Sequence, residues 1–218
     1  IVFGPLTIEA AAVCLREELR PVIGDLEGLR LWLATGDRPF HVEIDTGMGR
    51  LGFPWRDREG IAEAGRMLAL APGWEGVFTH FHSADTDLNS AVVQWDRLTA
   101  VISALPRRPA MVHAANSAAA LHGRRFAGDM VRPGIFLYGG AVGQSSPATV
   151  VRFRAPVVAS RRVAPGDTVS YGATWCAPRP TTVVTLAAGY ADGVPRALSG
   201  TGAVELAGAV HPIVGRVT

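Results

Sequence analysis

Over its first 138 residues the chain alternates short, β-branched apolar runs with longer segments of helical period, and few architectures accept that rhythm. A strand, a helix and a second strand in succession pair their strands in parallel, because the crossover helix returns the chain to the same end of the sheet. Strand-like runs lie near 1–4 (IVFG), 21–24 (PVIG), 40–45 (FHVEID), 76–81 (GVFTHF), 110–114 (AMVHA) and 130–137 (MVRPGIFL). Helical patterns lie between them, clearest at 7–20, 58–70 and 89–105. Six strands with alternating helices predict an α/β fold, an incomplete (β/α)8 TIM barrel that two further units of about 30 to 40 residues each would close. An open doubly wound sheet is the competing architecture.

After Tyr138 the texture changes. GGAVGQSSP (139–147) is a Gly/Ser linker, and beyond it come short alternating strands punctuated by Pro and Gly, with no helical period. This predicts a barrel domain over 1–150 and part of an all-β C-terminal domain over 151–218.

Composition narrows the function classes. No run approaches the roughly 18 consecutive apolar residues of a membrane span, and nothing resembles a signal peptide, so a cytoplasmic protein without a membrane partner is expected. Cys14 and Cys176 are too few and too far apart for a disulfide framework and read as ordinary buried thiols. The net charge of +2 has no long basic tract behind it; the arginine pairs 107/108, 124/125 and 161/162 are scattered, which reads as solvated surface rather than a nucleic-acid face. All 21 basic residues are arginines, and the sequence starts at Ile1 inside a strand-like run. The expectation is that about two N-terminal β/α units belong in front of it, and that the β-domain continues beyond Thr218.

In a (β/α) barrel the reactive groups sit at the carboxyl ends of the strands, where the variable loops converge. Here those ends carry Glu43, Asp45 and Arg50; His80, His82 and Asp85; His113, Asn116 and Ser117; and Arg132. Strand alternation places Glu43 and Asp45 on one side, and His80 and His82 likewise. Asp45 reads as the cap of a glycine-rich loop in which Gly47 and Gly49 permit the tight turn. HAANSAAAL (113–121) leads a strand into a helix through Asn and Ser, as a cap or as a phosphate cradle of free amides. Gly134 in MVRPGIFLYG offers a second place where backbone amides can approach a ligand closely.

Seven motifs then fall in one order: DTGMGRLGF (45–53), THFHSAD (79–85), HAANSAA (113–119), VRPGIFLYG (131–139), VSYGATW (169–175), GYADGVPR (189–196) and GRVT (215–218). With these the chain resembles alanine racemases, pyridoxal-phosphate enzymes with an N-terminal barrel and a C-terminal β-domain, over nearly its whole length. The resemblance implies pyridoxal 5'-phosphate as cofactor, alanine as substrate, and a homodimer with its active site at the subunit interface. It implies that Arg132 faces the pyridine nitrogen, His80 packs beside the ring, His113 hydrogen-bonds the arginine, and Ser117, Gly134 and Ile135 hold the phosphate. Tyr171 resembles the tyrosine that exchanges a proton at one face of Cα from the partner's β-domain, and a phenol of ordinary pKa, about 10, must be driven by its surroundings to do so. Arg50 resembles the arginine against that tyrosine and the substrate carboxylate. Asp85, Tyr190, Arg196 and Arg216 resemble residues of the access corridor.

Glu43 stands where many relatives carry a carbamylated lysine, so a carboxylate is expected to orient Arg50 by a charge-assisted hydrogen bond. The second base of the racemase reaction, a lysine that also carries the cofactor, belongs at the end of the first barrel strand, and these 218 residues contain none. The stretch is therefore read as an internal part of a longer racemase, inactive alone. Three alternatives stay open: a non-catalytic relative that binds a phosphate ligand, a related barrel decarboxylase, and a metal-dependent barrel hydrolase built on His80, His82, Asp85 and Asp87.

Overall fold

A computed structural model describes all residues from Ile1 to Thr218, in two compact units, Ile1–Val151 and Arg152–Thr218. The first unit alternates strands and helices: α1 (Ile8–Arg16), β1 (Val22–Ile23), α2 (Leu26–Leu33), β2 (Phe40–Asp45), β3 (Phe53–Pro54), α3 (Arg58–Ala69), β4 (Trp74–Phe78), α4 (Leu88–Ala104), β5 (Met111–Asn116), α5 (Ser117–Leu121) and β6 (Met130–Arg132). Its sheet runs β1-β2-β4-β5-β6, all parallel, with Val2 bridged in parallel to Pro21 ahead of β1 and the short β3 paired to the end of β2. The order never reverses. A doubly wound sheet requires a reversal, whereas sequential parallel strands with helical crossovers form a (β/α) barrel wall.

Each helix starts where a side chain takes over free amides. Thr7, Asp25, Asp57, Asp87 and Asn116 accept from the first-turn N–H groups of α1 to α5. Between sheet and helices lies one apolar core that includes Trp32, Phe40, Trp74, Phe81 and Phe126, all nearly inaccessible. Burial of side chains this size contributes about 1.5–3 kcal/mol each.

Several elements differ from the expectation. The first strand shrinks to the single bridge at Val2, and α1 stops at Arg16 ahead of Glu18 at φ 52°. The fourth strand runs 74–78 rather than 76–81, and the last ends at Arg132, after which Ile135–Tyr138 form a 3-10 turn. Helix α2 fills the interval between the second and third expected strands, where the helical period is not among the clearest.

The second unit contains an antiparallel pair, β7 (Val157–Val163) with β10 (Thr181–Leu186), a short pair, β8 (Thr168–Val169) with β9 (Trp175–Cys176), and a hairpin, β11 (Ala203–Leu206) with β12 (Ala209–Pro212). The hairpin turns through Ala207 and Gly208, both at positive φ, as a two-residue turn matched to strand twist requires. Cys176 is exposed, contrary to the expectation of two buried thiols; Cys14 is buried.

Candidate active site

The carboxyl end of β2 delivers Glu43 and Asp45 to different fates. Asp45 takes the amides of Gly47 and Gly49 at 2.9 and 3.1 Å, closing the loop that Gly47, Gly49 and Gly52 carry through positive φ. Glu43 is 2% exposed, and its Oε2 has no hydrogen-bond partner. It forms neither a hydrogen bond nor an ion pair with Arg50, so the expected charge-assisted bond is not made. Burial pushes its carboxyl up to about 7 against the pull of Arg50 and Arg132, with Asp45 adding to the rise. Near neutral pH this group is about half protonated rather than a fixed carboxylate. Glu43 and Arg50 share the wall of a 240 Å³ cavity with Gly24, Asp25 and Gly52. That cavity does not reach Arg132 or Ser117.

Arg132 is held at three points. Its Nη1 donates to His113 Nδ1 at 2.5 Å, and its Nη2 to the carbonyls of Thr79 and Ala114 at 2.9 and 3.2 Å. The guanidinium lies 4.8 Å from the centre of the Phe78 ring, which in turn stacks on His113. Burial lowers its pKa to about 10, and Glu43 opposes that, so it stays a cation at neutral pH. The histidines around it are neutral: burial first and the Arg132 charge second bring His80 down to about 4 and His113 to about 2. His80 Nδ1 is shielded and unpartnered.

His82 does not share a face with His80. The strand ends at Phe78, and His82 turns outward to Ser83 Oγ at 2.7 Å. The end of β4 is instead tied to the end of β2 by Thr46 and Thr79 hydroxyls at 2.6 Å. Gln94 of α4 joins both, donating to Thr46 Oγ1 and the His80 carbonyl and accepting from the His82 amide. No three His, Cys, Asp or Glu side chains converge as a metal-ligand set, so the hydrolase alternative has no centre here.

Ser117 opens α5 one residue past the cap Asn116, and its Oγ accepts from the amides of Gly134 and Phe136 at 2.9 and 3.4 Å. The two amide-rich strand ends therefore meet, with Ile135 between the two donors. Asp85 is exposed on the loop after β4.

In the second unit three motifs are stitched together. Ser170 Oγ donates to the Arg216 carbonyl at 2.8 Å, and the Val217 amide to Ser199 Oγ at 3.0 Å. A Cβ on Gly172 would touch the Arg216 guanidinium, and one on Gly189 would run into the Thr218 carbonyl. Tyr171 stands 73% exposed on a turn flanked by Ser170 (φ 69°) and Ala173 (φ 48°), conformations that non-glycine residues hold only at a cost of about 1–3 kcal/mol. Tyr190 is exposed, with the Arg196 guanidinium 5.9 Å from its ring centre.

Gln94, His41 and Glu75 were missed as site residues. His41 was findable, since alternation along HVEID puts it on the face of Glu43. Glu75 was not: Phe40 pairs with Trp74 and His41 with Gly76, so Glu75 is an extra residue that a bulge aims at His41.

Comparison with known proteins bears on this arrangement. Residues 1–142 match the family model described as alanine racemase, N-terminal domain, and residues 150–218 match that of the alanine racemase C-terminal domain. An alanine racemase of Halothermothrix orenii is 38% identical over 187 residues, covering 81% of this chain and 49% of that protein. One from Syntrophobacter fumaroxidans is 37% identical over 221 residues, covering 95% and 58%. The crystal structure of alanine racemase from Bartonella henselae with covalently bound pyridoxal phosphate superposes with a TM-score of 0.80 at 27% identity, covering 100% of this chain and 62% of that one. The chain thus spans about half the length of the curated relatives it matches.

Proposed function

The chain belongs to the alanine racemase family, and we propose that it supplies most of the cofactor- and substrate-facing residues of a pyridoxal-phosphate-dependent racemase that interconverts L- and D-alanine. The observation that carries this reading is the mounting of Arg132: a half-buried cation fixed by one imidazole and two carbonyls at the carboxyl ends of the strands. The residues present fit the cofactor. A neutral histidine with a shielded, unpartnered nitrogen, a permanent cation, and a hydroxyl drawn up to two backbone amides suit an aromatic ring, its nitrogen and its phosphate.

When bound, pyridoxal phosphate supplies a conjugated ring that accepts electron density from the substrate's Cα. Arg132 would face the ring nitrogen; because a guanidinium only donates, the nitrogen it faces must accept and stays unprotonated. That limits electron withdrawal and favours prompt return of the proton over other outcomes. His80 would pack beside the ring, uncharged and so adding no second cation. Ser117, Gly134 and Ile135 would take the phosphate through a hydroxyl and backbone amides, and His113 keeps Arg132 in place.

Tyr171 would give and take the proton at one face of Cα, reaching the site from a second copy in a homodimer, with Arg50 against it and against the substrate carboxylate. Its high exposure supports a role at a surface that meets another subunit. The base for the opposite face is a lysine that these 218 residues do not contain. Asp85, Tyr190, Arg196 and Arg216 would line the approach, and Glu43 would act on Arg50 through space rather than by contact.

The test is interconversion of alanine enantiomers by the full-length protein loaded with pyridoxal phosphate. Racemisation is expected, and Tyr171→Phe should slow it by about 10²–10⁴, the usual contribution of a positioned acid–base group. A protein that binds the cofactor yet leaves both enantiomers unchanged, or a Tyr171→Phe variant at full rate, defeats the reading.

A further inference from the structure

The row of contacts that starts at Arg132 does not end at His113. His113 Nε2 lies 2.9 Å from His41 Nδ1, His41 Nε2 lies 3.2 Å from Glu75 Oε2, and the same carboxylate oxygen accepts Arg20 Nε–H at 2.6 Å. Two arginines thus bracket two imidazoles and a carboxylate, from β6 across to the residues before β1.

The donors dictate one sense of hydrogen bonding along the whole row. A guanidinium has no lone pair to offer, so Arg132 Nη1–H obliges His113 Nδ1 to accept. A neutral His113 then carries its proton on Nε2, where it can only donate to His41 Nδ1. His41 is left with its proton on Nε2, aimed at Glu75, which accepts from both sides while ionised. Reversing any link sets two N–H groups face to face. Both rings are 1% exposed or less, so water is not at hand to rescue a wrong tautomer.

We propose that His41 and Glu75, anchored by Arg20, are positioning residues for Arg132: they lock His113 in its Nε2–H tautomer, so that Nδ1 always offers the arginine a lone pair. The inference rests on reading Arg132 as the cofactor-facing cation. Of the three acceptors that fix this guanidinium, two are backbone carbonyls that cannot change, and His113 Nδ1 is the one that could.

The sheet is shaped for the row. The bulge at Glu75 turns that side chain to His41, and Gly76 leaves the space in which the His41 ring lies, since a Cβ there would sit 2.3 Å from His41 Nδ1. Phe78 stacks on His113 with centroids 4.8 Å apart and fixes the plane of its ring. Charges agree with the geometry. Burial holds both histidines below the usual imidazole range, and the hydrogen bond from Arg20 holds the Glu75 carboxyl below its own.

The experiment is two-bond proton–nitrogen correlation on the full-length holoprotein with ¹⁵N-histidine, which reads tautomers directly. In the wild type, His41 and His113 should both be neutral with the proton on Nε2 near neutral pH. Glu75→Gln, a change of equal size at a half-buried position, offers His41 either an acceptor or a donor and opens the lock. The second tautomer should then appear at His113, and turnover should fall by about tenfold, the low end of what a hydrogen bond to a charged group contributes. A wild-type His113 that is doubly protonated or protonated on Nδ1 overturns the proposal, as does a Glu75→Gln variant with unchanged tautomers and unchanged turnover. The expected tautomers in a protein that does not racemise alanine support the lock and overturn the functional reading. The wrong tautomers in an active racemase overturn the lock alone.

Discussion

Gly76→Ala is the sharpest probe of the buried polar row, because it adds one methyl group at a position whose backbone accepts any residue. Gly76 is absent from the positive-φ residues, so alanine there strains nothing and stiffens the unfolded chain, a gain of about 0.4–1 kcal/mol. Against that stands the ring it would strike: a Cβ at Gly76 falls 2.3 Å from His41 Nδ1 and 2.5 Å from Cε1. The ring cannot yield freely, with His113 at 2.9 Å on one nitrogen and Glu75 at 3.2 Å on the other. Crowding a packed interior costs about 1–3 kcal/mol. Moving the ring leaves the buried His113 Nε2–H without its acceptor, about 1–3 kcal/mol more. The expected net loss is about 3 kcal/mol. Urea unfolding of matched apo-protein measures it, and the diagnostic comparison is the same substitution on a His41→Ala background, where the ring the methyl strikes is gone. There Gly76→Ala should be close to neutral, a coupling of about 3 kcal/mol between two contacting residues. Equal costs in the two backgrounds, or no cost in either, would show that the close approach of Gly76 and His41 does not shape the sheet.

Two further substitutions address the other halves of the site. Glu43 has a folded-state pKa of about 7 against an ordinary 4.5, so between those values the native state keeps a proton that the unfolded chain releases. The contribution of Glu43 to stability then falls as pH rises through the window, by about 3 kcal/mol at about 1.4 kcal/mol per tenfold change, against a rise contributed below the usual imidazole range by His80 and His113, which the fold holds neutral. Glu43→Gln should remove that contribution, seen as a urea midpoint that gains on the wild type's from pH 4.5 to 7; parallel profiles for variant and wild type would mean that Glu43 titrates as if exposed. In the β-domain, Gly215 sits at φ 72° with a Cβ position 2.7 Å from Ser170 Cβ and 2.8 Å from the Val169 carbonyl. Gly215→Ala should cost about 2–4 kcal/mol and loosen the turn bearing Tyr171, visible as faster proteolysis there; a variant as resistant as wild type removes the brace.

Much of this fold is legible because hydrophobic period and caps act locally. The crossover pattern predicted parallel strands, and the sequential order follows from connections too short to skip a neighbour. The same locality let Asp45 be read as a loop cap. What escaped reading depends on pairs distant in the chain. His82 leaves the face of His80 because the strand stops at Phe78, where Thr79 pairs with Thr46, 33 residues away. Glu75 joins His41 through a bulge that no residue in WEGVF announces. The charge state of Glu43 depends on how little water reaches it, a quantity set by Gly24 and Gly52 packing their backbones together beside it.

One electrostatic feature ties the site together. Arg132 is a cation placed where water cannot solvate it well, and each titratable neighbour responds to that placement. His80 and His113 are driven neutral by burial and by the arginine's charge, which spares the site additional positive charge. Glu43 is drawn toward ionisation by Arg132 and Arg50, yet burial prevails and leaves it near its midpoint at neutral pH. A carboxyl poised there follows the charge of whatever binds beside it. Added negative charge beside Arg50 would compete for the arginine's attraction and raise the proton's hold on Glu43, and its removal would let the proton go. In this chain Glu43 sits near its midpoint, and the fixed anchoring charge lies instead at Glu75, at the far end of the histidine row.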